Sequence, residues 1–133
     1  MSTAPESLPI RASADVVLVR MTVRRVAEEM GFRHLDVTKL VTAASEIARN
    51  TLVYGGGGIA TVEIVQGATR SGLRVFFEDQ GPGIVDLGLA MREGYTTGGG
   101  MGLGMSGSKK LVDDFSVDSE VGRGTRVAMI KWR

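Results

Sequence analysis

The sequence predicts an α+β fold in which helices cover one face of a mostly antiparallel sheet. Two segments with the apolar spacing of helices come first, and four segments with strand-like alternation follow in two neighbouring pairs. Strands clustered as hairpins favour a two-layer α/β sandwich over alternating βαβ units. A length of 133 residues predicts a single domain over residues 1–133.

Composition excludes several classes of function. The formal net charge is +1, from 16 basic and 15 acidic residues, which argues against a general nucleic-acid or anionic-membrane binder. The chain has no cysteine, so it has no thiolate metal site or disulfide framework. No apolar stretch approaches the ~20 residues of a membrane span. We therefore expect a soluble, cytoplasmic protein without nucleic-acid or membrane partners, and the sequence leaves homo-oligomer formation open.

The N-terminal part predicts one helix after a short lead-in. Residues 1–12 hold two of the three prolines and predict a loose segment or an edge strand. A helix is expected over residues 14–30, with Ser13 as its N-cap and Gly31 as its stop. Its inward stripe consists of Val16, Val19, Val23, Val26 and Met30.

Some polar side chains of this region have two interpretations. Arg20, Arg24 and Arg25 lie off the apolar stripe. They form either a solvated face or a contact surface for an acidic protein partner. His34 is the single histidine, and without cysteine or a second histidine a structural role is favoured over a zinc or Ser–His mechanism.

A second helix is predicted from an Asp36 cap to about residue 54. Glu46 and Asn50 are four residues apart, so they share a face beside the apolar stripe. A carboxylate and an amide on a partly buried edge need a polar partner, such as a divalent cation or a substrate hydroxyl. An ordinary exposed polar pair is the alternative.

The next two predicted strands place a carboxylate on the inward side of the sheet. Residues 55–58 are glycines that end the helix, and residues 59–66 and 73–79 alternate as strands. The two-residue period puts Asp79 on the same face as Phe77. A buried carboxylate needs hydrogen-bond donors, and the exocyclic amine of a purine could supply one. A capping or turn aspartate is the alternative.

Much of the chain's glycine lies in residues 79–107, ahead of a short helix predicted over residues 107–114. Such a segment is typical of backbone N–H groups that hold phosphate. Strands over residues 115–119 and 125–132 complete the sheet, with Thr125 on the inward face. The spacing Gly102-x-Gly104-x-x-Gly107 also matches a dinucleotide fingerprint, but no strand of a βαβ unit can precede it.

Taken together, four motifs resemble the GHKL ATPase/kinase superfamily. The E-x-x-x-N helix motif is matched by Glu46 to Asn50, and D-x-G-x-G after a strand by Asp79 to Gly83. The G-x-G at the end of the lid is matched by Gly102-Leu103-Gly104, and the closing Gly-Thr by Gly124-Thr125. Each motif alone is weak, but four in this order form a specific signal. The short length is similar to the bacterial anti-sigma-factor serine kinases. The stretch from Glu78 to Ile84, the start of the lid at Gly94 to Thr97 and the final Lys131-Trp132 most resemble the stressosome switch kinases among them.

The resemblance implies that ATP and Mg²⁺ bind here, with a role for each motif. Asp79 would accept the adenine amino proton, supported by Thr125 directly or through water. Asn50 would coordinate Mg²⁺, and Glu46 would act as general base on the incoming hydroxyl. The implied ATP-binding set is Asn50, Asp79, Gly81, Gly83, Gly102, Leu103, Gly104, Lys109 and Thr125.

The resemblance also implies protein partners. The substrate would be a serine or threonine of a STAS-domain protein, and the released kinase would bind and activate a metal-dependent serine phosphatase. The alternative is an anti-sigma factor that sequesters a sigma factor, and a degenerate nucleotide-binding fold without catalysis is a third option. Residues 94–106 contain no Lys or Arg, which sporulation-type kinases carry there, so Lys109 and Arg49 are the candidates to neutralise the γ-phosphate.

Overall fold

A computed structural model describes residues 4–83 and 105–133. In chain order its elements are β1 (Glu6–Ile10), α1 (Ser13–Glu29), α2 (His34–Val53), β2 (Gly58–Gln66), β3 (Ser71–Asp79), α3 (Met105–Leu111), β4 (Asp114–Glu120) and β5 (Gly124–Trp132). The predicted α+β class is confirmed, and residues 6–10 form a strand rather than a loose lead-in. Within the part of the chain that the structure describes, no helix is long and apolar enough to cross a membrane.

Within the described ranges, the strands form one antiparallel sheet in the order β1-β2-β3-β5-β4. Strand β3 is central, so that Val75 lies opposite Val62 of β2 on one side and Met129 of β5 on the other. Strands β1 and β4 are the edges. Strand β1 is short and contains Pro9, which lacks a backbone N–H, and both features disfavour pairing with a further strand.

The core lies between the helices and one face of the sheet. Leu40 of α2 and Leu73 of β3 are fully buried, and Ile47 and Phe77 are 1% exposed. Burial of each such side chain contributes roughly 1.5–3 kcal/mol. The helical and strand periods therefore direct α1, α2 and the inward face of the sheet toward one apolar core, and they carry Asp79 to its edge.

The predicted start of α1 is wrong in its capping residue. Ala12 occupies the N-cap position, and its backbone N–H donates to Asp15 Oδ2 at 3.0 Å. The Arg11 N–H donates to the same oxygen at 2.8 Å. The carboxylate in the first turn thus satisfies the donors ahead of the helix, and Ser13 is already helical.

The predicted caps of α2 and α3 are also shifted. Helix α2 begins at His34, with Arg33 at the N-cap, so Asp36 lies inside the first turn. There its Oδ1 is 3.7 Å from the Nζ of Lys131, which ties the helix to β5. Helix α3 begins at Met105, two residues before the predicted start.

Candidate functional site

The Asp79 carboxylate is the polar group at the base of a pocket. Asp79 ends β3 on its inward face and is 8% exposed. Its Oδ1 accepts hydrogen bonds from the backbone N–H of Gly81 at 2.8 Å and of Thr125 at 3.3 Å. Two backbone donors offset part of the cost of burying the carboxylate and fix its orientation. The carboxylate can accept a further hydrogen bond from a ligand in the pocket.

Three glycines allow close contacts in and around Asp79 that a side chain at each position would prevent. A Cβ atom at Gly55 would overlap the Asp79 side chain, and one at Gly124 would overlap the Asp79 carbonyl oxygen. A Cβ at Gly81 would lie 2.7 Å from the Gly55 carbonyl oxygen. Of the three glycines, Gly55 makes room for the carboxylate itself, and the other two allow close backbone contacts beside it. The resemblance implied that Gly81 belongs to the ATP-binding set; the described contact is with the Gly55 backbone, and contact of Gly81 with a nucleotide stays a prediction.

The loop after β3 is fastened to the β4–β5 turn. Gly83 has φ +79°, a conformation that L side chains rarely adopt, and a Cβ there would overlap the Glu120 carbonyl oxygen. The Gly122 N–H donates to the Pro82 carbonyl at 2.9 Å. Gly83 lines the pocket, so this contact beside it holds one part of the pocket wall in place.

Thr125 contacts Asp79 through its backbone rather than through its hydroxyl. The Thr125 Oγ1 lies 2.9 Å from the Ser119 Oγ on the neighbouring strand. The Ser119 Oγ also donates to the Gly124 carbonyl at 3.2 Å. Thr125 lines the pocket, on the inward face that the alternation predicted for it.

Helix α2 brings Asn50 to the same pocket. Asn50 and Glu46 are half-buried, one turn apart on one side of α2. Asn50 lines the pocket together with Asp79 and Thr125. Glu46 lies one turn closer to the start of α2 and is not part of the described pocket wall. The structure therefore brings four of the predicted residues into one pocket wall, Asn50, Asp79, Gly83 and Thr125, while Glu46 lies one helical turn away from Asn50.

The remaining wall is largely apolar, and the sequence prediction did not name it. Its residues are Ile47, Thr51, Tyr54, Gly55, Phe77, Met105 and Val127. Periodicity could have found most of them. Ile47 and Tyr54 are three and four residues from Asn50 on the helix, and Phe77 and Val127 are two residues from Asp79 and Thr125 on the strands.

Several predicted phosphate contacts stay predictions. Gly102, Leu103 and Gly104 fall outside the described residues. Lys109 is exposed on α3, and Arg49 is exposed on α2. Neither side chain belongs to the described pocket wall, so neutralisation of a γ-phosphate by either stays a prediction.

The donor set fits magnesium only in company with a nucleotide. No group of three or more His, Cys, Asp or Glu that could hold a metal ion occurs within residues 4–83 and 105–133. Mg²⁺ commonly takes one or two protein oxygens and completes its shell with phosphate oxygens and water. An amide oxygen from Asn50 in the wall of a pocket that also contains the Asp79 carboxylate fits that arrangement.

Comparisons with known proteins identify the family. The family model described as Histidine kinase-, DNA gyrase B-, and HSP90-like ATPase matches residues 35–132. The chain is 44% identical over 118 residues to the serine/threonine-protein kinase RsbT of Bacillus subtilis (strain 168), covering 89% of each chain. It is 29% identical over 118 residues to an anti-sigma F factor of Clostridium acetobutylicum, covering 84% of this chain and 81% of the relative.

Solved structures share the fold. A crystal structure of RsbU and RsbW domains from Mycobacterium tuberculosis matches with a TM-score of 0.67 at 21% identity over 98% of this chain, which spans 33% of that one. A mycobacterial sensor histidine kinase, MprB, matches with a TM-score of 0.58 at 18% identity over 97% of both chains. The chain therefore belongs to the histidine kinase-, DNA gyrase B- and HSP90-like ATPase family, and within it to the serine/threonine-protein kinases of the RsbT type.

Proposed function

We propose that this chain is a cytoplasmic switch kinase that phosphorylates a serine or threonine of a STAS-domain protein in a partner-switching pathway. The observation that carries the proposal is the Asp79 carboxylate, buried and held by two backbone donors in one pocket with Asn50 and Thr125. The 44% identity with RsbT supports the protein-kinase activity. ATP supplies the phosphoryl group, and Mg²⁺ neutralises its phosphate charge.

Asp79 recognises the adenine of ATP. Its carboxylate accepts the adenine amino proton, and the Thr125 N–H on the opposite side keeps the carboxylate in place. The apolar wall that includes Phe77 and Val127 excludes water, which strengthens this hydrogen bond. A guanine presents a carbonyl oxygen where adenine has its amino group. That oxygen and the carboxylate are both acceptors, so no hydrogen bond would form, and the site selects adenine.

The phosphoryl transfer falls to helix α2 and the glycine-rich segment. Asn50 would provide an oxygen for Mg²⁺. Glu46 takes the proton of the incoming hydroxyl as the hydroxyl oxygen bonds to the γ-phosphorus, while the bond from that phosphorus to the bridging oxygen breaks and ADP leaves. Both residues are half-buried on one side of α2, so one helix orients base and metal together. The role of Gly102, Leu103 and Gly104 in holding phosphate rests on their motif.

After transfer, the kinase leaves its substrate and binds a metal-dependent serine phosphatase, which it activates by contact. The resemblance to stressosome switch kinases supports this second role. It is a binding function, so it requires a free protein surface rather than a second catalytic site.

The test separates nucleotide binding from transfer. Purified chain is titrated calorimetrically with ATP in the presence and absence of Mg²⁺, and phosphotransfer from radiolabelled ATP is followed on a STAS-domain protein. Glu46→Gln should keep Mg-ATP binding and lower the transfer rate by ~10²–10⁴-fold, the usual contribution of a general base. Glu28→Gln, an exposed carboxylate of α1, is the matched control and should change neither. Transfer at the unaltered rate by Glu46→Gln would overturn the assigned role.

The second candidate function is an anti-sigma factor. The relatives named anti-sigma F factor, one of them 31% identical over 105 residues in Thermoanaerobacter sp., favour it. Affinity purification with the tagged chain distinguishes the two functions. Recovery of a STAS-domain protein supports the switch kinase, and recovery of a sigma factor supports the alternative.

A further inference from the structure

Helix α1 carries a second stripe that faces away from the core. Val17, Arg20, Met21 and Arg24 follow the spacing i, i+3, i+4, i+7, so they lie along one face of the helix. Together with Val41 of α2 they line a groove with a volume of about 120 Å³. We call this set the α1 groove.

The apolar residues of this surface are unusually accessible. Met21 is 62% exposed and Val17 is 47% exposed, and Leu18 beside them is 45% exposed. Single exposed apolar side chains are ordinary. Three within five consecutive positions form a patch, and burying it would gain roughly 25 cal/mol per Å² of apolar surface. Patches with a polar rim mark interaction sites.

The rim of the α1 groove is positively charged. Arg20 and Arg24 have no carboxylate within ion-pair distance in the described ranges. Arg25 differs from them because its guanidinium is paired with carboxylates of this chain. It donates two hydrogen bonds of 2.7 Å to Glu6 and a third hydrogen bond to Glu29. Those carboxylates, Glu6 above all, raise the pKa of the Arg25 guanidinium. Arg25 is thus neutralised within the chain, whereas the two groove arginines offer their charge to a partner.

We propose that the α1 groove binds an amphipathic helix of another protein, whose apolar side chains enter between α1 and α2 while flanking carboxylates pair with Arg20 and Arg24. A helix laid into an apolar groove between two helices presents side chains at the matching spacing. A second copy of this chain is disfavoured, since a two-fold contact through this face would set arginines against arginines. Nucleic acid would pair with the arginines but leave Met21 and Val17 exposed.

The test uses a synthetic amphipathic helix of about 18 residues with leucines at i, i+3, i+4 and i+7 and glutamates on both flanks. Two-dimensional NMR of the labelled full chain should show saturable shifts at the amides of the α1 groove, with a Kd below ~1 mM. Peptides with lysine for glutamate, or serine for leucine, are the chemical controls and should bind at least ~10-fold more weakly. The assay contains no nucleotide, so it is independent of the proposed kinase activity.

Variants of the protein then locate the site. Arg20→Glu with Arg24→Glu should weaken the acidic peptide at least ~10-fold, because like charges would meet. Arg70→Glu with Arg123→Glu, two exposed arginines in strand-connecting turns, is the matched control and should leave the Kd unchanged. A dispersed two-dimensional amide spectrum, recorded before peptide is added, shows that each variant is folded.

Three outcomes would overturn the proposal. One is unchanged binding by the double groove variant, and another is equal binding of the lysine peptide. The third concerns the mass measured by light scattering. The unaltered chain would have the mass of a dimer, and Met21→Ser would have that of a monomer. Val121→Ser, which changes a matched exposed apolar residue, would remain a dimer. That result would identify a second copy as the occupant.

Discussion

Replacing Asp79 by asparagine should separate nucleotide recognition from folding. The substitution keeps the side-chain shape and an oxygen that can still accept from the Gly81 and Thr125 N–H groups. It converts the other oxygen into an NH₂ donor, which would face the donor amine of adenine. Loss of a hydrogen bond to a charged group costs ~1.5–3 kcal/mol, and an unmatched buried donor adds ~1 kcal/mol or more. A total of ~2.5–4 kcal/mol corresponds to ATP binding that is ~60- to 700-fold weaker.

The sharper readout is the ratio of ATP to GTP affinity. The amide donor introduced by Asp79→Asn can pair with the guanine carbonyl oxygen, so GTP should lose little or gain, while ATP loses the full amount. Calorimetry with both nucleotides measures the ratio, and urea denaturation of the same samples measures stability. Asp118→Asn, an exposed carboxylate on the outward side of β4, is the control and should leave both nucleotides unaffected. Equal weakening for ATP and GTP would refute base recognition by Asp79 and would point to general disruption of the pocket.

Further substitutions test the packing that surrounds the site. Gly83→Ala should unfold at lower urea than Gly56→Ala, because both glycines have positive φ, +79° and +74°, but a Cβ at Gly56 meets open space. Ser108→Ala should raise Tm by up to about 3–5 °C, since the buried Ser108 hydroxyl has no hydrogen-bond partner in the described structure. A lower Tm would show that the hydroxyl is satisfied. Lys131→Met should cost ~1 kcal/mol of unfolding free energy, because it leaves two carboxylates, 3.7 and 3.9 Å from Nζ, without their cation. High salt should reduce that difference, and a difference unaffected by salt would refute the electrostatic origin.

Local periodicity explains what the sequence could predict. The two-residue alternation of β3 places Asp79 on the inward face, and the helical spacing of α2 places Glu46 and Asn50 on one side, as the structure confirms. The four sequence motifs predicted the family, and the comparisons with known proteins confirm it. These features depend on residues a few positions apart, where sequence carries the information directly.

Features set by distant contacts could not be predicted. Gly55 was interpreted as a helix stop, yet its missing side chain is what makes room for Asp79. Asp36 was predicted to cap α2. Its carboxylate pairs instead with Lys131, which lies 95 positions later in the sequence. The residues near Gly55 and Asp36 in the sequence do not predict these contacts, because strand pairing and register in the folded protein determine which distant residues meet.

The order of strands has a consequence for how the molecule is made. Strand β5 is synthesised after β4 but lies between β4 and β3. Until residues 124–132 leave the ribosome, β3 has an open edge, which can pair with other chains. The same residues bring Gly124 and the Thr125 N–H against Asp79. The candidate pocket is therefore among the last parts of the molecule to assemble, because a nascent chain that ends before β5 lacks the Thr125 and Val127 side chains of its wall.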